Sequence, residues 1–171
     1  MKPICVLCKT DLDNSNEQLP ESNVTGSICF SCANKFKLSS SADILKEIID
    51  TIDTPILLMQ PEPRQVYTAN NKALELFDKT LSQAEGCRGG QVFDCVHAFT
   101  EAGCGKDANC ENCKIKNAVI ETFAAGKSFK DIATDLQINK NGEISLYNLR
   151  VSTEKVGDLE LLRIDQYKKK T

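Results

Sequence analysis

A chain of 171 residues, 41% hydrophobic and 26% charged, has the make-up of a globular protein with room for one ordinary domain and a small appendage. It contains no run of 18 apolar residues, so no transmembrane helix is expected, and the stretch from Met1 to Cys5 lacks the apolar core of a secretory signal. A net charge of −3, with Lys168, Lys169 and Lys170 as the only basic cluster, offers no cationic face for phosphates; nucleic acid and membrane are not expected partners, and the cytoplasm is the expected compartment.

Residues 1–37 are polar and carry a first group of four cysteines: Cys5-x2-Cys8, a gap of 20 residues, then Cys29-x2-Cys32. A Cys-x2-Cys turn points two sulfurs at one ion, and in a reducing compartment two such pairs mean a closed tetrahedral Zn²⁺ site rather than disulfides. The segment has too few large apolar residues to hold itself together, so metal is expected to fold it, with Phe30, Phe36 and Leu38 as its caps. Lys2, Lys9, Lys35 and Lys37 are balanced by Asp11, Asp13, Glu17 and Glu21, which disfavours a DNA-binding finger.

Ser39 to Ser41 form a hydrophilic joint. Ser40 followed by Asp43 predicts a helix start, and Ile44, Leu45, Ile48, Ile49 and Ile52 make one apolar stripe at helical spacing that must end before Pro55. The stripe has two readings: it covers a sheet, or it pairs with a second copy. Ile56 to Met59 and Gln65 to Thr68 are predicted strands around a Pro-rich turn, and Asn70-Asn71 opens a helix whose apolar face is Ala73, Leu74, Leu76 and Phe77.

The glycine-rich stretch 82–114 lacks clear periodicity and carries the second group, Cys95-x8-Cys104-x5-Cys110-x2-Cys113. Cys110 and Cys113 lie just before a predicted helix from Ile115 to Gly126, whose N-terminus favours thiolates, and Cys104 sits between Gly103 and Gly105, where backbone can approach a metal closely. Four cysteines in this pattern serve structural Zn²⁺ or an iron–sulfur cluster, and a redox-switching thiol set without permanent metal is a third alternative. His97 is either an alternative ligand, a donor to a thiolate, or a packed residue; Cys87 is a reserve ligand, a reactive thiol, or inert.

Ile132 to Ile138 alternate, Asn141-Gly142 is the strongest hairpin signal in the chain, and Leu159 to Ile164 supply a last strand. Between them the apolar positions change from Ile144 and Leu146 to Tyr147, Leu149 and Val151, which predicts a bulge. The element order predicts an α+β fold with one five-stranded antiparallel sheet and helices on one face, plus a small N-terminal four-cysteine zinc-binding module.

This order, with the apolar run 55–59 and the stretch VYTANNKALELF at 66–77, resembles the PAS sensory domain family over about residues 43–166. Within it, GQVFDCVHA at 90–98, GCG at 103–105, CENC at 110–113 and IKNAV at 115–119 resemble a bacterial PAS subfamily with a four-cysteine insert found in sensor kinases and related regulators. The N-terminal pairs resemble a small zinc finger that accompanies bacterial signalling proteins. The resemblance implies a zinc finger over 1–37, a linker and signalling helix over 38–54, and a PAS domain over 55–171 with the insert at about 87–114. It implies signal reception, with Cys95, Cys104, Cys110 and Cys113 holding a cofactor on the helical side of the sheet, a separate kinase or regulator as output partner, and dimerisation through the preceding helix.

No phosphate-binding glycine loop, nucleophile elbow or Ser-His-Asp set is present in a chain with one histidine, so no enzymatic activity is expected. The expectation is a cytoplasmic bacterial sensor of redox state, oxygen or metal. Its alternatives are a zinc-binding adaptor with no sensing chemistry and an iron–sulfur electron carrier or accessory subunit.

Overall fold

A computed structural model describes Cys5, Lys9 and residues 42–171. The expected zinc knuckle and the expected helix cap at Ser40 therefore lie outside the described residues, apart from Cys5 and Lys9. Helix α1 (Ala42–Ile49) leads into strands β1 (Ile56–Met59) and β2 (Val66–Ala69). Three short helices follow, α2 (Asn71–Phe77), α3 (Leu81–Ala84) and α4 (Gly89–Val92), then two 3-10 turns (Val96–Phe99 and Ala108–Cys110) and the longer α5 (Lys114–Ala125). Strands β3 (Phe129–Lys140), β4 (Glu143–Val156) and β5 (Leu159–Lys169) complete the chain. The five strands form one antiparallel sheet in the order β2-β1-β5-β4-β3.

Local chemistry accounts for most boundaries. Asn70 caps α2 by accepting from the Ala73 amide, Thr80 and Gln83 form a reciprocal capping box on α3, and Gly126 ends α5 in the left-handed region. Asn141 and Gly142 both take positive φ, as a two-residue hairpin turn with the right twist demands, and Lys140 pairs with Glu143 across it.

The sheet has helices on both faces, which corrects the expectation of helices on one face. Along β1, Leu57 and Met59 face a large core with Phe77, Phe93, Ile115, Val119, Leu149 and Leu162. Ile56 and Leu58 face a second, smaller core with Leu45, Ile49, Ile52, Val156 and Leu161. A period of two in β1 puts alternate residues on opposite faces, and both are covered, so all four are buried. The stripe of α1 thus divides: Leu45, Ile49 and Ile52 cover the sheet, Ile48 is half-buried and Ile44 stays exposed.

The bulge expected between Leu146 and Tyr147 is not there. Pairing of β3 with β4 runs without interruption from Lys140↔Glu143 to Ile132↔Val151. Ile144 and Leu146 instead point to the other face, where they are 60% and 42% exposed, while Leu149 and Val151 are buried. The register breaks come later, near Phe129 in β3 and where Arg150 and Val151 meet β5. No helix among the described residues is long and apolar enough to cross a membrane.

Candidate metal centre

The second cysteine group is brought together by separate pieces of chain on the sheet face that carries α5. Cys95 follows α4, with its amide bonded to the Gly90 carbonyl (2.8 Å). Cys104 sits in a loop between Gly103 and Gly105, both at positive φ. Asp107 ties this loop: it accepts from the Asn109 amide (2.8 Å), the Asn109 side chain (2.9 Å) and the Thr100 hydroxyl (2.8 Å). Cys110 closes the second 3-10 turn, and Cys113 is the N-cap residue of α5.

All four cysteines line one cavity of about 70 Å³, floored by Met59, Leu136 and Leu162 of the sheet and walled by Phe93, Ile115 and Val119. Drug-sized ligands occupy pockets of roughly 300–1,000 Å³, so the open space is on the scale of an ion rather than a large organic cofactor. The described cysteines, including these four, are free thiols. Among the described residues no three Cys, His, Asp or Glu side chains are arranged as a metal-holding group. The donor set fits a soft divalent ion or an iron–sulfur cluster in its chemistry, while drawing the sulfurs to one point requires movement of the loops that carry them.

Burial pushes the Cys95 thiol above its ordinary value; the backbone N–H of His97 opposes this and the other three cysteines add to it. Cys104 is raised in the same way, first by burial, against the N–H of Gly90 and the charge of Arg88, with Cys110 and Cys113 raising it further. Both are therefore protonated near neutrality, and a metal must displace protons to bind them.

Gly90 is a residue whose role the sequence concealed. A Cβ there would lie 2.7 Å from the Cys104 sulfur and 3.3 Å from the Ala98 methyl. Its lack of a side chain lets the Cys104 loop close on α4, and only the Gly89-Gly90 pair hinted at this. Gly90→Ala should cost about 1–3 kcal/mol by overpacking and push Cys104 outward. Urea unfolding and the rate of thiol alkylation at Cys104 check both; unchanged values would mean that the loop gives way freely.

Three cationic residues were also missed: Arg64, Arg88 and Lys116 line the same cavity. They are far apart in sequence and carry no motif. Of the remaining expected residues, His97 turns its ring toward Asp107 (Nδ1 to Oδ1, 3.7 Å) and serves Cys95 only through its backbone. Cys87 lies outside the cavity and donates to the Gln83 carbonyl (3.2 Å). Of the first group only Cys5 is described. It is buried in the second core beside Leu45, Ile49 and Ile52, with its carbonyl accepting from the Lys9 amide (2.9 Å). Cys8, Cys29 and Cys32 lie outside the described residues.

Comparison with solved structures shows the fold. A LOV protein from Rhodobacter sphaeroides superposes with a TM-score of 0.50 at 14% identity, covering 71% of this chain and 64% of that one. Two PAS domains are more distant: that of nitrogen regulation protein NR(II) from Vibrio parahaemolyticus (TM-score 0.41, 18% identity, 77% and 99% coverage) and that of BvgS from Bordetella pertussis (0.42, 14%, 75% and 85%). The described domain has the PAS/LOV fold. The chain spans about two thirds of the length of the LOV protein. No protein-family model and no curated protein matches the sequence.

Proposed function

We propose that this chain is a bacterial signal-transduction sensor, in which a four-cysteine centre inside a PAS-fold domain responds to redox state, oxygen or metal and is read by protein contact. The observation that supports it is the convergence of Cys95, Cys104, Cys110 and Cys113 on one ion-sized cavity on the sheet face that carries α5. Four cysteines gathered from separate loops in a half-enclosed site are not needed to build a sheet and its helices; hydrophobic side chains do that without reactive sulfur. These residues would hold Zn²⁺ or an iron–sulfur cluster. Zinc would supply oxidant-sensitive thiolates, and a cluster would supply one-electron redox chemistry. Cys5, Cys8, Cys29 and Cys32 would hold a structural Zn²⁺. The output is a separate kinase or regulator in the cytoplasm, with no catalysis by this chain, and exposed Ile44 on α1 is available to a second copy or to that partner.

One observation favours a second reading. Because no three of the thiols form a metal-holding group, the set can act as a switch without permanent metal: two thiols join as a disulfide, giving two electrons and two protons to an oxidant such as a peroxide.

Anaerobic purification followed by iron, sulfide and zinc assays tests the proposal. The expected result is metal at two sites, with Cys110→Ser losing the metal of the PAS-fold domain and keeping that of the N-terminal site. Wild type with metal at the N-terminal site alone, and no disulfide after peroxide, would sink both readings. Loss of both metals from Cys110→Ser would show that the two sites are not independent.

A further inference from the structure

The cavity that holds the four thiols is charged in one direction only. Arg64, Arg88 and Lys116 line it, and no aspartate or glutamate does. The three come from different places: Arg64 from the β1–β2 turn, Arg88 from the N-cap position of α4, and Lys116 from the first turn of α5. They meet at Gly105, the residue after Cys104. From the position that a Cβ on Gly105 would take, the Arg88 Nη1 is 3.0 Å away, the Lys116 Cδ 3.7 Å and the Arg64 Nη2 4.0 Å. Arg88 is fixed there by its bond to the Cys104 carbonyl (3.0 Å). Arg64 also reaches the exposed Glu62, whereas neither Arg88 nor Lys116 forms an ion pair with a carboxylate among the described residues.

Half-buried cations that share a low-dielectric cavity repel one another, and Glu62 offsets only Arg64, so bringing Arg88 and Lys116 together costs free energy unless a further anion joins them. Four thiolates on a divalent ion would supply that anion, since the assembly carries a net charge of −2, in the same cavity and beside the same loop. The N-terminus of α5, with Cys113 as its cap, adds partial positive charge from the same side.

We infer that Arg88 and Lys116, backed by Arg64, are the counter-charge that stabilises a four-thiolate metal centre at Cys95, Cys104, Cys110 and Cys113. This rests on the proposed metal-binding function and adds the residues that set its affinity. They are positioning residues: they touch the Cys104 loop and act on the metal through its ligands.

The test uses full-length protein, stripped of metal and kept reduced, with Co²⁺ as the probe and its thiolate-to-metal absorption as the readout. Cys110→Ser defines the signal of the N-terminal site alone. Arg88→Gln and Lys116→Gln should each weaken the second site by about 10- to 100-fold, the range seen when outer partners of a metal site are removed, and leave the N-terminal site unchanged. Arg88→Lys keeps the charge but not the guanidinium fork, and should recover most of the affinity. Lys116→Gln guards against misfolding, because no hydrogen bond of the described residues depends on the Lys116 ammonium. Wild-type affinity in both glutamine variants would overturn the inference and leave the metal site standing. Failure of wild type to take Co²⁺ at the second site would overturn the metal site itself. Binding of inorganic phosphate to the wild-type cavity that Arg88→Gln abolishes, with Co²⁺ affinity unchanged, would assign the cations to a free anion instead and overturn the inference.

Discussion

Asn70→Ala should lower the stability of the domain by about 3–5 kcal/mol in urea unfolding, the sum of a lost helix cap and several buried groups left without partners. The Asn70 side chain is fully buried and uses its whole hydrogen-bonding capacity. Its oxygen accepts from the Ile56 amide (2.9 Å), which starts β1, and from the Ala73 amide (3.0 Å), which starts α2. Its nitrogen donates to the carbonyls of Ile49 (3.2 Å), Ile52 (3.3 Å) and Thr54 (2.8 Å), where α1 ends. One amide thus joins the helix on one face of the sheet to the helix on the other. Alanine would leave the buried Ile56 amide and the Ile52 and Thr54 carbonyls without these partners, whereas the Ile49 carbonyl keeps the Ile52 amide (3.0 Å) and the Ala73 amide keeps the Asn70 carbonyl (3.1 Å). Asn70→Asp should not rescue, because a carboxylate would face three carbonyl oxygens. A domain is typically stable by about 5–15 kcal/mol, so the loss would be a large fraction of the total; a change below about 1 kcal/mol would contradict the arrangement described.

The second large effect is a pH dependence carried by Glu160. It lies on the inner face of β5, paired in register with Met59 and Lys155, and is fully buried. Both carboxyl oxygens lack a hydrogen-bond partner among the described residues, and the Lys155 ammonium is turned away to the Phe123 carbonyl (3.2 Å). Burial pushes the Glu160 carboxyl from its ordinary 4.5 up to about 9, so the folded protein holds it neutral. The sign follows from linkage. The folded state binds this proton more tightly than the unfolded chain. Its contribution is therefore fully present below about pH 4.5 and lost as pH rises toward about 9. Glu160→Gln removes the titration and keeps the shape. The stability of the variant relative to wild type should rise with pH across that window, by about 1.4 kcal/mol per unit at most. Denaturation of both proteins from pH 5 to pH 9 measures this, and a constant difference would show that Glu160 is not held neutral.

The ionisation of Glu160 bears on the candidate centre, because its register partner Met59 and its neighbour Leu162 both line the cavity. Charge appearing at Glu160 would place an anion one strand position from a site whose other fixed charges are cationic. Arg88 and Gly90 act from α4 and Glu160 from β5, so the site is a property of the assembled face rather than of the cysteine-bearing loops alone.

Several features were readable in the chain because they are decided within a few residues. The Asn70 cap, the Gly126 stop and the Asn141-Gly142 turn depend on backbone conformations that only certain side chains allow, so the residue names the structure. The spacing of Cys95, Cys104, Cys110 and Cys113 led to the expectation of one shared site; the four line one cavity, and no three of them form a metal-holding group. The change of apolar face in β4 was misread as a bulge, since a period of two cannot say whether Ile144 and Leu146 sit on a buried face or an exposed one.

By itself the sequence determined which short segments turn, cap and alternate, because those choices are made by steric and hydrogen-bonding rules between near neighbours. Only the tertiary structure decided that α1 covers the opposite face, that Glu160 is sealed from water, and that Arg64, Arg88 and Lys116 meet beside Cys104. Such placements depend on which distant segments share a low-dielectric space, and the desolvation and charge terms that give them their effect do not exist until the sheet brings those segments together.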